Sequence, residues 1–166
     1  MVTIRSDGKA RLGLGMPETS DFFESKDPSY LNNHGVIHLG DQSRITNTFR
    51  IINKGLITIG AHSYVNPNAL IRIQKALTIG DHCAISWNCT FMDTHAHKVN
   101  GEDIPKEISI GHHVWIGAHV MVLKGATIGN NCMVAAGSVV TGKFGDNVLI
   151  GGVPAKVMKE NISWEI

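Results

Sequence analysis

Residues 93 to 97 read Asp-Thr-His-Ala-His, which puts one carboxylate and two imidazoles in a single short segment. An imidazole with its ordinary pKa of about 6.5 keeps a usable neutral fraction near neutral pH, so it suits a general base that removes a proton from an attacking hydroxyl. A nearby carboxylate can accept the other ring N–H and fix the tautomer. The segment thus offers His97 or His95 as base and Asp93 as the orienting group. The same polarity also suits a surface loop that is merely solvated.

What must position these groups is a repeat of six. From Ile110 an aliphatic residue falls at every sixth position: Ile110, Ile116, Val122, Ile128, Val134, Val140. Upstream the same unit runs through Leu39, Ile45, Ile51 and Ile57, then Ile59, Val65, Ile71 and Leu77, then Ile79, Ile85 and Phe91, each block restarting two residues late. A period of six matches neither 3.6 nor simple alternation, and suits a short strand followed by a tight turn. Three units make one triangular coil, and stacked coils pair as parallel strands about 4.8 Å apart. The fourth position after each aliphatic is often small, as at Ser43, Cys83, Cys89, Cys132 and Ser138, which fits a second inward site in a cramped corner. The three cysteines therefore read as small core residues. The fold expected is mainly β: a parallel β-helix of roughly five coils, about 24 Å tall. Residues 1–35 lack the repeat and are expected to form an irregular cap, 36–153 the β-helix, and 154–166 a tail in which Pro154 starts a short helix. Between about 92 and 108 the register is lost, so the His/Asp segment must loop out of the prism, where solenoids tend to carry function.

The totals narrow the classes. With 15 basic and 14 acidic residues the net charge is +1, so no global field draws in nucleic acid or an acidic membrane surface. No apolar run approaches the roughly 20 residues that span a bilayer, and the first residues lack signal-peptide design, so the expectation is a cytoplasmic chain. Its three cysteines lack metal-type spacing.

The stretches "ISWNCTFMDTHAHKV", "ISIGHHVWIGAHVMVLKGATIGNNCMVAAGSVVT" and "GGVPAKVMK" together resemble the hexapeptide-repeat acyltransferases, and among them the galactoside, maltose and polysaccharide O-acetyltransferases. The likeness covers roughly residues 36 to 160. It implies the left-handed form of the β-helix, acetyl-CoA as acyl donor, a sugar or glycan-precursor hydroxyl as acceptor, and a homotrimer with cofactor grooves between subunits. The family's catalytic histidine matches His97, although the proline usually next to it is Lys98 here; His95 stays open as the base. The resemblance further implies that the backbone N–H of Ala118 meets the thioester oxyanion and that Trp115 flanks the acetyl slot. Ala136, Ser138, Thr141 and Lys143 would follow the pantetheine arm, Lys156 and Lys159 the phosphates, and Asn66 the acceptor. The family's "T-K" is Thr141-Gly142-Lys143 here, which leaves the reach of Lys143 open. Trp115, Val120 and Met121 are expected near a surface that assembles subunits.

Three other readings stay open. An amino-sugar or nucleotide-sugar nitrogen could replace the hydroxyl as acceptor. His62, His82 and His113 each stand three residues after a leading aliphatic and could stack on one corner, as interfacial metal ligands do in γ-class carbonic anhydrases, although their spacing differs and no metal ligand is assigned. A non-catalytic scaffold would keep the repeat but has no need of the extruded loop.

Overall fold

The computed structural model describes residues 3–6, 11–12, 29–98 and 100–165. Val99 and Ile166 lie outside them, as does most of the segment expected to form the cap. The described residues form sheets of seven, eight and six strands, parallel throughout except for the last strand of the eight-stranded one, and these are the three walls of a solenoid of about six turns that fits the left-handed β-helix. That is one turn more than the repeat suggested. The additional turn comes from the N-terminal segment: Thr3–Ser6, Arg11–Leu12 and Tyr30–Asn33 pair in register with the strands of the next coil. Within the described part of residues 1–35 these three strands extend the walls, because strands with unpaired edges gain from a further rung.

The repeat translates directly into packing. Coils of twenty residues stack Leu56 on Val36 and Ala76 on Leu56, whereas eighteen-residue coils stack Thr127 on Ser109. Every sixth aliphatic, from Leu39 to Val140, is at most 3% exposed. Each such isoleucine or leucine contributes about 1.5–3 kcal/mol by leaving water. The small fourth positions point inward too, and Cys83, Cys89 and Cys132 are fully buried, each donating its thiol to a carbonyl of its own or the next coil. Burial pushes the Cys83 and Cys89 thiols up from 9.0 to about 11. At the turns Gln42, His62, His82, Asn88 and Asn131 take positive φ. Gly80 permits the close stacking of one turn on the next, since a Cβ there would lie 2.6 Å from the Gly111 carbonyl oxygen.

The wall that begins with Thr3–Ser6 is the first, that beginning with Arg11–Leu12 the second, and that beginning with Tyr30–Asn33 the third. Turns join first to second wall at one corner, second to third at a second corner, and third back to first at a third corner. The expected C-terminal helix is absent. Ala155–Glu160 instead runs antiparallel to Val148–Gly152, with the Val153–Pro154 bond cis in the connecting turn. A strand wins over a helix here because Val148–Gly152 is the last rung of its wall and offers unpaired backbone groups.

Candidate active site

Residues 93–107 leave the prism at the third corner, between Thr90–Met92 of the third wall and Ile108–Ile110 of the first. The loop is braced at its base and within. Lys106 N–H donates to Asp93 O at 2.9 Å, and Gly125 N–H to Lys106 O at 3.1 Å. Thr94 Oγ1 donates to Asp103 Oδ2 at 2.6 Å, His95 N–H to Asp103 Oδ1 at 3.3 Å, and Ala96 N–H to Thr94 Oγ1 at 3.0 Å. The Thr94 hydroxyl, aided by the His95 N–H and the charges of Lys124 and His95, holds the Asp103 carboxyl below its usual range. Asp103 is thus the acidic residue that shapes this loop, and its signal in the sequence was position alone.

His95 and His97 are exposed, and among the described residues neither ring makes a hydrogen bond. Asp93 does not orient them. Its side chain is 0% exposed and accepts the backbone N–H groups of Gln74 at 2.8 Å, Lys75 at 2.6 Å and Ala76 at 3.0 Å. The expectation of a tautomer-fixing carboxylate is corrected: Asp93 closes the turn of the coil beneath it, and a carboxylate is favoured there because three donors converge on it.

A different corner carries the apolar groove. Strand register stacks Pro67, Trp87, Ala118 and Ala136 in a column at the second corner, each two residues beyond the last paired residue of its strand. The groove there has a volume of about 270 Å³, and its lining includes Trp87, Trp115, Gly117, Ala118, Ala136 and Leu149. Trp115 Nε1 donates to Ser86 Oγ at 3.4 Å, and the C-terminal tail returns to this wall, where Trp164 lies 6.1 Å from Trp115 and stacks on His113 at 4.2 Å. The Ala118 carbonyl accepts from Gly137, but among the described residues the Ala118 N–H donates to nothing, and neither does that of Ala136. An unpaired N–H at the wall of a groove is available to an oxyanion or an amide carbonyl. Asn66 stands at the same corner, two coils below Gly117, and its side chain has no hydrogen bond among the described residues. Trp87, which the hexapeptide period leaves unmarked, lines the groove through this column.

The remaining cofactor residues divide. Ser138 is corrected: it is 1% exposed, donates its hydroxyl to Ala135 O at 2.6 Å and accepts from Gly152 N–H, so its side chain faces the core and not the groove. Its small-residue position already signals this inward aim. Lys156 and Lys159 are exposed on the terminal strand, where Lys159 pairs with Leu149 at the end of the groove. Thr141 and Lys143 lie elsewhere, in a polar pocket of about 400 Å³ at the third corner with Lys75, Lys106 and Lys124. Met121 and Trp115 are 39% and 40% exposed, but Val120 is fully buried, so it is core and presents no surface. His62 and His82 do stack, 4.9 Å apart, at the first corner. Among the described residues no three His, Cys, Asp or Glu side chains come together as metal ligands.

In one chain, then, the histidine loop and the groove occupy different corners of the prism. Among the described residues no helix is long and apolar enough to cross a membrane.

Residues 107–142 match the family model described as bacterial transferase hexapeptide (six repeats). The galactoside O-acetyltransferase of Escherichia coli (strain K12) is 41% identical over 109 residues, which cover 63% of this chain and 54% of that protein. A putative lipopolysaccharide biosynthesis O-acetyl transferase, WbbJ, of the same strain is 31% identical over 134 residues, 76% of this chain and 61% of its own length. A solved galactoside acetyltransferase in complex with coenzyme A superposes with a TM-score of 0.59 at 40% identity, over 64% of this chain and 56% of that one. The chain thus spans between 54% and 61% of the length of these relatives. It carries the hexapeptide repeat, and its resemblance to the hexapeptide-repeat acetyltransferases holds in sequence and in fold.

Proposed function

We propose that this chain is an acetyl-CoA-dependent O-acetyltransferase that transfers acetyl directly to a hydroxyl of a sugar or glycan precursor in the cytoplasm. The observation that carries the reading is the unpaired Ala118 N–H on the wall of the apolar groove between Trp87 and Trp115. A thioester carbonyl set against that N–H gains a donor as the tetrahedral oxyanion forms, and a backbone donor needs no particular side chain. The Ala136 N–H, one rung higher, suits an amide carbonyl of the pantetheine arm, and Lys156 and Lys159 beyond Leu149 suit the phosphates. The relative of 40% identity is a coenzyme A complex, which supports the same assignment.

In this reading His97 takes the hydroxyl proton as the acceptor oxygen attacks the acetyl carbonyl, and the coenzyme A thiolate leaves with that proton. His95 is the second candidate, and Asn66 holds the acceptor from below the groove. Because loop and groove lie at different corners of one protomer, the site needs the loop of one copy beside the groove of another, as in a homotrimer.

The test is thiol release from acetyl-CoA across a panel of sugars, amino sugars and nucleotide sugars, with His97→Ala and His95→Ala alongside. Transfer to a hydroxyl that His97→Ala lowers by about 10²–10⁴-fold is the expected result. Full activity in both variants overturns the base assignment, and transfer only to amines overturns the choice of acceptor atom.

A further inference from the structure

The third corner carries a column of positive charge that lies outside the apolar groove of the same chain. Leu77 pairs with Ile108 and Ser109 with Thr127, so by continuation of the register Lys75, Lys106 and Lys124 sit directly above one another on consecutive coils. Lys143 adds a fourth ammonium on the next rung, stacked on Thr127. The four lysines share one pocket of about 400 Å³ with the hydroxyls of Thr127 and Thr141. Successive rungs are about 4.8 Å apart, and like charges placed in register repel. Compensation within the pocket is small. Glu107 is its single carboxylate and reaches only Lys75, at 3.6 Å, while Lys124 Nζ donates to the Ile104 carbonyl at 3.5 Å. Among the described residues the ammonium groups of Lys106 and Lys143 have no partner.

The column is tied to the loop that bears the histidines. Lys106 ends that loop, its N–H bound to Asp93 O and its carbonyl to Gly125 N–H, so its backbone is fixed on the rung. Lys75 N–H is in turn held by the Asp93 carboxylate at 2.6 Å. The terminal strand, at the other corner, already supplies Lys156 and Lys159 at the end of the apolar groove. The charge at the third corner therefore has its own ligand to explain.

We propose that this lysine column recognises an acidic acceptor: a saccharide whose carboxylate or phosphate groups lie along Lys75, Lys106 and Lys124 while its hydroxyl reaches the histidine loop. The inference rests on the acetyltransferase reading and narrows its substrate class. A flexible ammonium on each rung suits anionic groups repeated along a chain better than one bidentate group, for which arginine is the fitter partner. The two hydroxyls supply further donors to the same oxygens.

The test compares the native chain with Lys75→Ala/Lys106→Ala and with the charge-keeping Lys75→Arg/Lys106→Arg. All four substitutions fall at exposed side chains, and thermal melts check that each variant folds. Binding is read by calorimetry for three probes at low and high salt: oligogalacturonate, glucose 6-phosphate and coenzyme A. The expected result is salt-sensitive binding of oligogalacturonate or glucose 6-phosphate, weakened about tenfold or more in the alanine pair, kept in the arginine pair, with coenzyme A affinity unchanged. Failure of both acidic saccharides to bind the native chain overturns the proposal, as does undiminished binding to the alanine pair. Equal loss of coenzyme A affinity also overturns it and assigns the column to the cofactor phosphates. Lysine-dependent binding of the acidic saccharide without thiol release from acetyl-CoA would leave the column standing and sink the transferase reading instead.

Discussion

Asp93 is buried with three backbone N–H groups on its carboxylate, whereas His97, four residues on, is exposed with no partner among the described residues. Removing the carboxylate takes the acceptor from three part-buried backbone donors at once, so Asp93→Ala is expected to lower stability by about 3 kcal/mol, read from urea unfolding. His97→Ala strands nothing and is expected to stay within about 0.5 kcal/mol of the native chain while transfer falls. A pair of variants with equal unfolding midpoints would contradict this division of roles. The sequence singled out both residues by type, but type does not tell inward from outward once the period of six is lost. A longer period does. Asn33 and Asn53 close turns on the third wall, with Asn53 Nδ2 donating to Asn33 Oδ1 at 2.8 Å, and Asp93 continues that column past Ile73. The twenty-residue spacing was legible; the buried duty it assigned was hidden by the chemical appeal of a carboxylate beside two histidines.

The walls behave as the repeat of six implies, and their thiols give that packing a pH signature. Cys83 and Cys89 titrate near 11 in the folded chain because burial penalises their thiolates, above the 9.0 of an exposed thiol. The folded state therefore holds these protons more tightly than the unfolded one, so their contribution is present below about pH 9 and is lost as pH rises through about 11. Urea midpoints taken from pH 8 to 11 are expected to fall less steeply for Cys83→Ala/Cys89→Ala than for the native chain, and parallel slopes would rule the thiols out as the cause. The elements that escaped the sequence are those whose form is set by an edge. Pro154 signals a break, and a short helix is the usual result, but the last rung of the second wall draws Ala155–Glu160 into a strand. The tail beyond it brings Trp164 onto His113 and towards Trp115. Trp164→Ala is expected to cost about 1 kcal/mol of stability from the lost ring contacts and to raise the KM for acetyl-CoA, through Trp115, more than it lowers kcat. A changed kcat at constant KM would mean that the tail does not shape the groove.

At the scale of the whole molecule, the separation of loop and groove sets what the proposed transfer site requires of assembly. The loop leaves the third corner and the groove lies at the second, so no single prism joins them, and exposed Trp87, Trp115 and Met121 leave apolar surface on that side to be covered. A closed ring of like protomers places the second corner of each beside another corner of the next, and the ring closes with one site per contact. Two inactive chains should then rescue each other. His97→Ala removes the proposed base and keeps the groove; Ala118→Phe fills the groove and keeps the loop. When the two are unfolded together in equal amounts and refolded, a contact that pairs an intact loop with an intact groove forms with a probability of one half times one half, so about a quarter of the native activity returns, where either variant alone gives almost none. Light scattering across the same samples should report a single trimeric mass. If the mixture is as inactive as its components while the mass is trimeric, the base and the groove belong to one protomer after all, and the loop would have to travel from one corner of the prism to the next.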